Sequence, residues 1–219
     1  LRQLGLKALV LEAGTGVGGT WYWNRYPGAR FDSESYSYAF SFSKDLLDEW
    51  DWSEHFAGQP ETLRYLNHVA DKFDLRGDIQ FRSRVKSAVW QEDKRQWEIT
   101  LEDGRAYFGN LMITAVGPLS APTMPNIPGV DSFKGQSCHT AKWPHEPVSF
   151  EGKRVAVIGT GASAAQLAPA IAGKVTDLVI FQRSKHWVLN NPDINVPVND
   201  NIHFALRNIP HYKEWFRFR

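Results

Sequence analysis

The sequence predicts an α/β fold with two Rossmann-like dinucleotide-binding domains and an antiparallel β insertion, truncated at both ends. Lys7–Glu12 is a short apolar run that ends in an acid, which is typical of a buried parallel strand. A second apolar run, Arg154–Ile158, leads into a G-x-G-x-x-A turn and a helical pattern. Between these runs, apolar and polar residues alternate, which favours antiparallel strands.

Composition excludes several classes of protein. The 25 Lys and Arg residues nearly balance the 24 Asp and Glu residues, so no charge field favours nucleic acid or an anionic membrane. No apolar run approaches the roughly 20 residues that span a bilayer, and the sequence leads us to expect no signal peptide. The one cysteine, Cys138, excludes an internal disulfide framework and favours a reducing, cytoplasmic location.

The pattern along the chain predicts the elements between the two nucleotide-binding units. Pro60–Phe73 has the apolar spacing of a helix, and the stretch from Gly14 to Asp32 is too irregular for regular structure. Leu111–Gly117 is predicted as another buried strand. Three antiparallel strands and one turn complete this part: Gln80–Arg84, Ser87–Gln91, Trp97–Leu101 and the turn Glu102–Arg105.

Domain boundaries follow from the prolines and from the two ends of the chain. Four prolines between Pro118 and Pro128 predict a connector, so we expect domains at residues 1–121 and 122–189. Residues 190–219 are expected to begin a helical insertion. Gly5 resembles the cap of a helix that starts upstream, and the last residues form an amphipathic segment without a stop signal. Both features favour a fragment of a longer chain.

The strand–turn–helix unit at Gly159 predicts a dinucleotide phosphate site. Gly159 allows the tight turn, Gly161 lets the backbone approach a pyrophosphate, and Ala164 keeps the helix close to the strand. The N-terminus of the helix then offers free N–H groups to phosphate. The alternative is a glycine-rich turn without a ligand.

The end of the next predicted strand, Thr176–Gln182, indicates which nucleotide binds. A site for NAD usually has an acid there, whereas this chain has Gln182, Arg183 and Ser184. A cation and a hydroxyl suit the 2′-phosphate of NADPH. Arg183 lies 24 positions after Gly159 (183 − 159), close to the motif's spacing of about 20. A solvated surface arginine is the alternative.

The first nucleotide site is predicted from Glu12 alone. The glycines from Gly14 to Gly19 suggest a phosphate loop, but the residues on either side do not make a helix start, so we reject that interpretation. Glu12 instead occupies the position of a ribose-binding acid, and its glycine loop belongs about 20 residues upstream, before Leu1. A surface glutamate is the alternative.

A twelve-residue segment before the second glycine motif allows a family assignment. Residues 133–144 match F-x-G-x-x-x-H-x-x-x-W-P at every fixed position, namely Phe133, Gly135, His139, Trp143 and Pro144. This pattern resembles the fingerprint of type I Baeyer–Villiger monooxygenases of the phenylacetone, steroid and cyclohexanone type. Residues 18–32 are similar to the flavin-contacting stretch of that family.

The resemblance implies two cofactors, FAD and NADPH, and two substrates, a ketone and O2. In that family NADPH reduces FAD, O2 then forms a flavin peroxide, and the peroxide attacks the ketone to give an ester or lactone. Matched FAD contacts are Glu12, Thr20, Trp21, Arg30, Asp32, Tyr38 and Val85. Matched NADPH contacts are Gly159, Thr160, Gly161, Ala162, Ser163, Ala164, Gln166, Arg183 and Ser184.

The resemblance also implies a catalytic role for Asp32. In the family an acid in this stretch supports an arginine that stabilises the peroxyanion, and that arginine is expected beyond Arg219. The alternative is that Asp32 caps a turn before Ser33.

Other functions remain open at this point. Cys138 and His139 are adjacent and lack further ligand spacing, so we expect no metal and no nucleophile pair, and we place His139 and Trp143 in an interdomain link. The alternatives are an N- or S-oxygenating flavin monooxygenase, which the Trp143-Pro144 ending disfavours, a flavoprotein reductase, and a non-catalytic nucleotide-binding module. The sequence leaves the oligomeric state undetermined.

Overall fold

The computed structural model describes residues 1–218, which form short helices and three small sheets. The helices are α1 (Thr20–Trp23), α2 (Ser35–Tyr38), α3 (Lys44–Glu49), α4 (Gln59–Lys72), α5 (Ala162–Ala172), α6 (Asp200–Asn208) and α7 (Tyr212–Phe218). The strands are β1 (Val10–Leu11), β2 (Ile79–Gln80), β3 (Val85–Gln91), β4 (Gln96–Leu101), β5 (Ala106–Gly109), β6 (Arg154–Ile158) and β7 (Asp177–Phe181).

Two of the sheets are parallel pairs. β1 pairs with β2, and β6 pairs with β7 in a register that places Ala156 opposite Val179. α5 connects β6 to β7, as the sequence predicts, and it buries Leu167, Ala168 and Ile171. This β–α–β unit presents the turn after Ile158 at the carboxyl end of its sheet, which is where ligands bind in parallel sheets.

The third sheet is antiparallel, in the order β3–β4–β5. The predicted strands Ser87–Gln91 and Trp97–Leu101 lie within β3 and β4, and the turn Glu102–Arg105 leads into β5, which the sequence analysis did not predict. The prediction for Gln80–Arg84 is wrong, because Gln80 belongs to β2 and pairs in parallel with β1. Alternation over so few residues cannot identify the partner strand.

The prediction of a buried strand at Leu111–Gly117 is also wrong. The segment has no regular structure, and Leu111 and Val116 are 78% and 72% exposed. An apolar run forms a strand only where a neighbour completes its ladder of hydrogen bonds, and no strand of residues 1–218 pairs with this one. The following prolines lie in a connector without regular structure, as predicted.

The first hydrophobic core is largely aromatic and lies on α4. Tyr65, 1% exposed, packs between Trp50 and Trp52 at ring-centre distances of 5.3 and 4.9 Å. Trp21 of α1 and Phe31, which lies between α1 and α2, join this cluster. The helix prediction for Pro60–Phe73 is confirmed within a residue at each end, with Pro60 in the first turn, where the absence of an N–H is tolerated.

The second core covers the β–α–β unit and includes residues from the first part of the chain. Val157 of β6 and Ile171 of α5 pack with Trp143, and Tyr26 and Ala29 are buried in the same cluster. The segment from Tyr22 to Arg30 therefore lies between the two cores and contacts the predicted second domain directly.

Candidate functional site

The turn between β6 and α5 has the geometry of a phosphate cradle. Gly159 has φ 104°, a conformation that side chains disfavour, whereas Gly161 has an ordinary φ of −74°. A Cβ added at either glycine would meet no protein atom within 4 Å. Packing therefore does not require glycine at position 161, and the space in front of its backbone is open to a ligand.

The first turn of α5 leaves its N–H groups available. No side chain caps the helix at Gly161, and the first turn contains no acid. The amide of Ala165 donates to the Gly161 carbonyl at 3.0 Å, so the amides of Ala162, Ser163 and Ala164 precede the helical hydrogen-bond ladder. Such an N-terminus attracts anions. Ala164 is partly buried against the second core, and its role in keeping the helix close to the strand stays a prediction.

The end of β7 lies beside this turn. Gln182 donates from Nε2 to Oγ1 of Thr160 at 3.2 Å, which joins the ends of the two parallel strands. Arg183 and Ser184 follow and are exposed. Within residues 1–218, Arg183 makes no hydrogen bond or ion pair, so its guanidinium is available to a phosphate ligand.

Glu12 and the glycines after it form a turn around an aromatic ring. Glu12 Oε1 accepts from the amide of Gly14 at 2.6 Å. A Cβ on Gly14 would lie 2.8 Å from the Tyr22 ring, and one on Gly16 would lie 3.3 Å from it. Ring packing thus explains two of these glycines without a phosphate. One detail of the sequence interpretation is wrong, since the one-turn helix α1 does start after Gly19.

Several residues predicted to contact FAD form one aromatic group. Trp21 is buried and donates from Nε1 to the Tyr38 hydroxyl at 2.8 Å. Phe31 stacks on Tyr38 with ring centres 4.3 Å apart. Thr20 precedes Trp21 on α1, whereas Val85 is the first residue of β3 in the antiparallel sheet. The structure therefore brings Trp21 and Tyr38 into direct contact, with Thr20 next to Trp21 on α1.

Arg30 and Asp32 have opposite environments. The Arg30 guanidinium, 17% exposed, donates to Glu54 Oε2 at 3.1 Å and to the Phe56 carbonyl at 3.2 Å. Asp32 is exposed, and its carboxylate has no hydrogen-bond partner within residues 1–218. The amide of Ser35 donates to the His55 carbonyl instead of to Asp32. Asp32 therefore caps no turn in the described chain, and its catalytic role stays a prediction.

The fingerprint residues have different structural roles. Trp143 is 8% exposed, stacks on Phe150 at 6.2 Å and meets Tyr26 edge-on at 6.5 Å. His139 Nδ1 accepts from the amide of Ala141 at 3.1 Å and so caps the 3-10 turn that leads to Trp143 and then Pro144. Phe133 is 64% exposed and lies so close to Gly135 that a Cβ there would be 2.5 Å from its ring.

Gln166 contacts protein groups that the sequence interpretation did not identify. Its Oε1 accepts from the Tyr26 hydroxyl at 2.8 Å and from the Arg30 amide at 3.2 Å, and its Nε2 donates to the Arg30 carbonyl at 2.9 Å. One Nε2 hydrogen remains for any other partner. The predicted contact to NADPH stays a prediction, but most of this amide is occupied by the chain itself.

Two groups in or against the second core, the Tyr26 hydroxyl and the Cys138 thiol, have raised pKa values. Burial raises the pKa of the Tyr26 hydroxyl, and a hydrogen bond with Ser163 opposes the shift, so Tyr26 is a neutral donor at pH 7. Burial also raises the pKa of the Cys138 thiol, which disfavours the reactive thiolate. Residues 1–218 contain no cluster of three or more potential metal-ligating His, Cys, Asp or Glu side chains. None of their helices is both long and apolar enough to cross a membrane.

Three relatives align with most of the chain. It is 47% identical over 214 residues to 2-oxo-Delta(3)-4,5,5-trimethylcyclopentenylacetyl-CoA monooxygenase of Pseudomonas putida, over 95% of this chain and 39% of the relative. It is 48% identical over 189 residues to acetone monooxygenase (methyl acetate-forming) of Gordonia sp. (strain TY-5), over 86% of this chain and 36% of the relative. Phenazine N-monooxygenase PhzNO1 of Lysobacter antibioticus is 45% identical over 185 residues, which are 84% of this chain and 34% of that protein. The chain thus spans less than two-fifths of the length of these relatives.

Solved structures with a similar fold also cover most of the chain. The crystal structure of OTEMO in complex with FAD and NADP superposes with a TM-score of 0.88 at 47% identity, over 94% of this chain and 39% of the other. The closed crystal structure of cyclohexanone monooxygenase gives a TM-score of 0.91 at 41% identity, over 99% of this chain and 40% of the other. The fold is therefore the α/β fold of flavin monooxygenases. Residues 5–204 match the family described as flavin-binding monooxygenase-like, and the chain belongs to that family.

Proposed function

We propose that this chain belongs to a Baeyer–Villiger monooxygenase, in which FAD, NADPH and O2 convert a ketone to an ester or lactone. The observation that carries this proposal is the fingerprint at residues 133–144, whose Trp143 is buried between the β–α–β unit and the Tyr22–Arg30 segment. The acetone monooxygenase relative is named as forming methyl acetate, which is the ester that oxygen insertion into acetone gives.

The proposed NADPH site is the turn and first helical turn after β6. The open backbone at Gly159 and Gly161 and the uncapped N-terminus of α5 suit a pyrophosphate. Arg183 and Ser184 supply a cation and a hydroxyl to the 2′-phosphate. NADPH, when bound, supplies the hydride that reduces the flavin. On this proposal residues 122–189 begin the NADPH domain, and residues 190–219 begin a helical insertion.

The proposed FAD site lies in residues 1–121. Glu12 holds the ribose, since its second carboxylate oxygen has no hydrogen-bond partner among the described residues. The remaining flavin contacts are assigned to Thr20, Trp21, Arg30, Tyr38 and Val85. Asp32 orients an arginine supplied by another part of the whole protein, and its exposed carboxylate is free to do so. The two Rossmann-like domains with an inserted antiparallel sheet are part of this proposal.

Product analysis on the whole flavin-loaded protein tests the proposal. Acetone and cyclohexanone serve as probes, NADPH oxidation is followed by absorbance, and esters are identified by gas chromatography. We expect ester in proportion to NADPH consumed, and a much lower rate with NADH. Flavin reduction by NADPH without ester from any ketone probe would instead identify a reductase.

N-oxygenation is a second candidate because one relative is named a phenazine N-monooxygenase. That relative is 45% identical over 84% of this chain, so overall similarity does not separate the two reactions. The same assay with phenazine decides between them. An N-oxide product with no ester from any ketone would favour this second function.

A further inference from the structure

We infer that Gln166 is a positioning residue that fixes the backbone of Arg30, and through it Asp32, relative to the N-terminus of α5. The inference deepens the proposed function and rests on it for the catalytic effect, while the junction itself is testable without activity. Gln166 lies in the second turn of the helix whose first turn is the proposed phosphate site. Any shift of that helix therefore moves the side-chain amide of Gln166.

The Gln166 amide binds the Arg30 backbone as a neighbouring strand would. It accepts from the Arg30 N–H at 3.2 Å and donates to the Arg30 carbonyl at 2.9 Å, so both main-chain groups of one residue are paired. The Tyr26 hydroxyl adds a third hydrogen bond at 2.8 Å. Three hydrogen bonds to one side chain across 136 to 140 residues of sequence indicate a specific joint.

Gly28 provides an independent indication that α5 and this segment must approach closely. Its φ is 80°, and a Cβ there would overlap the main-chain carbonyl of Gln166 and lie 3.0 Å from the Ala170 Cβ. Position 28 therefore needs glycine for both conformation and space. The two elements touch through backbone as well as through the Gln166 side chain.

The other side of the Arg30 segment is anchored to α4. Arg30 forms an antiparallel bridge with Gly58, and the amide of Gln59 donates to the Ala29 carbonyl at 2.7 Å. The Arg30 guanidinium is bound to Glu54. Asp32 follows two residues later without an internal partner, so its position depends on this doubly held backbone. Gln166 also holds this backbone by hydrogen bonds. Because Gln166 lies on α5, its contacts move together with the proposed NADPH site.

Substitution of Gln166 in the whole enzyme tests this role. In Gln166→Ala we expect kcat for ester formation to fall roughly ten- to a hundredfold, since small misplacements of reacting groups cost about that much. KM for NADPH should stay within about twofold, and more NADPH should be oxidised without ester. Gln91→Ala is the matched control, because Gln91 makes one hydrogen bond to Glu98 in the antiparallel sheet. It should leave both constants unchanged.

Gln166→Glu provides a pH signature that a purely structural role lacks. An ionised carboxylate still accepts from Tyr26 and Arg30 but cannot donate to the Arg30 carbonyl. The protonated acid regains that donor. We therefore expect Gln166→Glu to recover activity as the pH falls, with a limb that the wild-type enzyme does not show. If Gln166→Ala does not fold, this variant decides the question.

Hydrogen exchange gives a readout that is independent of catalysis. The Arg30 amide should exchange slowly in the wild-type protein and at least tenfold faster in Gln166→Ala, with amides in β3 and β4 unchanged. A raised KM for NADPH with unchanged kcat would make Gln166 a cofactor ligand and overturn the inference. Unchanged protection of the Arg30 amide would also overturn it. A wild-type enzyme that makes no ester, but shows the exchange difference, would contradict the proposed function and leave the joint intact.

Discussion

The hydroxyl of Tyr26 and the side-chain amide of Gln166 are 140 residues apart in sequence and 2.8 Å apart in the structure. The bond crosses the predicted boundary between residues 1–121 and 122–189. Tyr26 is 7% exposed and packs in the same core as Val157 and Ile171. The core of the β–α–β unit formed by β6, α5 and β7 therefore includes side chains from a segment that precedes it by more than a hundred residues.

Tyr26→Phe should destabilise the protein by about 0.5–1.5 kcal/mol at pH 7, the usual net value of one hydrogen bond. Burial raises the pKa of Tyr26 above the roughly pH 10 of an unfolded tyrosine. Its contribution to stability is thus complete below about pH 10 and is lost as the pH rises through the folded-state pKa. Urea unfolding at pH 7, 9 and 10.5 measures this.

The comparison between the two proteins isolates Tyr26. Burial also raises the pKa values of Tyr36 and Tyr65, but both residues titrate in wild type and variant alike. The difference in unfolding free energy should therefore shrink above pH 10. A difference that stays constant across this range would show that the ionisation of Tyr26 is not linked to folding.

Two fingerprint residues should differ sharply in their effect on stability. Trp143→Ala removes a side chain from the second core and should cost about 3–5 kcal/mol. Phe133 is 64% exposed, so Phe133→Ala should change the unfolding free energy by less than about 0.5 kcal/mol. Thermal or urea unfolding of both variants measures this. A large loss of stability in Phe133→Ala would place that ring in a folded-state contact that the structure does not show.

The elements that the sequence predicts well are those with their own local signal. The helical spacing at Pro60–Phe73 and the glycine turn after β6 depend on nearby residues, and both appear where expected. Strand pairing depends on distant partners, which explains the errors at Gln80–Arg84 and Leu111–Gly117. A short apolar run has no local feature that identifies its neighbour.

The candidate site shows the same division. The turn residues Gly159 and Gly161 were identifiable from spacing, because the motif is contiguous. The joint between Tyr26, Arg30 and Gln166 was not, because it joins a loop to a helix that lies 136 to 140 residues later in the sequence. A usable signal was the Tyr-Pro-Gly run at Tyr26–Gly28, since glycine there indicates close approach of another backbone.

Arg183→Ala should raise KM for NADPH in the whole enzyme about ten- to a hundredfold, which corresponds to a charged hydrogen bond of roughly 1.5–3 kcal/mol. KM for NADH should change little, because NADH lacks the 2′-phosphate. Arg64→Ala is a suitable control, since Arg64 is an exposed arginine on α4. Steady-state kinetics with both cofactors gives the comparison. Equal effects on the two cofactors would remove Arg183 from the 2′-phosphate site.

Asp32→Ala should leave folding intact and FAD bound through its remaining contacts, while slowing flavin reduction or oxygen insertion. The carboxylate is exposed and has no internal hydrogen bond within residues 1–218, so its loss should change stability by no more than about 0.5 kcal/mol. Its proposed role is to orient a cationic side chain, which requires the negative charge. Asp32→Asn keeps the shape and loses that charge, so it should be nearly as slow as Asp32→Ala.

Stopped-flow kinetics on the whole enzyme separates the two affected steps. Flavin bleaching by NADPH under anaerobic conditions measures reduction, and ester formed after mixing with O2 and ketone measures insertion. Glu34→Ala is the matched control, since Glu34 is another carboxylate of the same segment, with its backbone carbonyl accepting from the Ser37 amide and hydroxyl. A native rate of ester formation in Asp32→Ala would show that its carboxylate supports no catalytic arginine. Slow turnover in Asp32→Ala and Asp32→Asn, with Glu34→Ala unaffected, would identify the charge at position 32 as the cause.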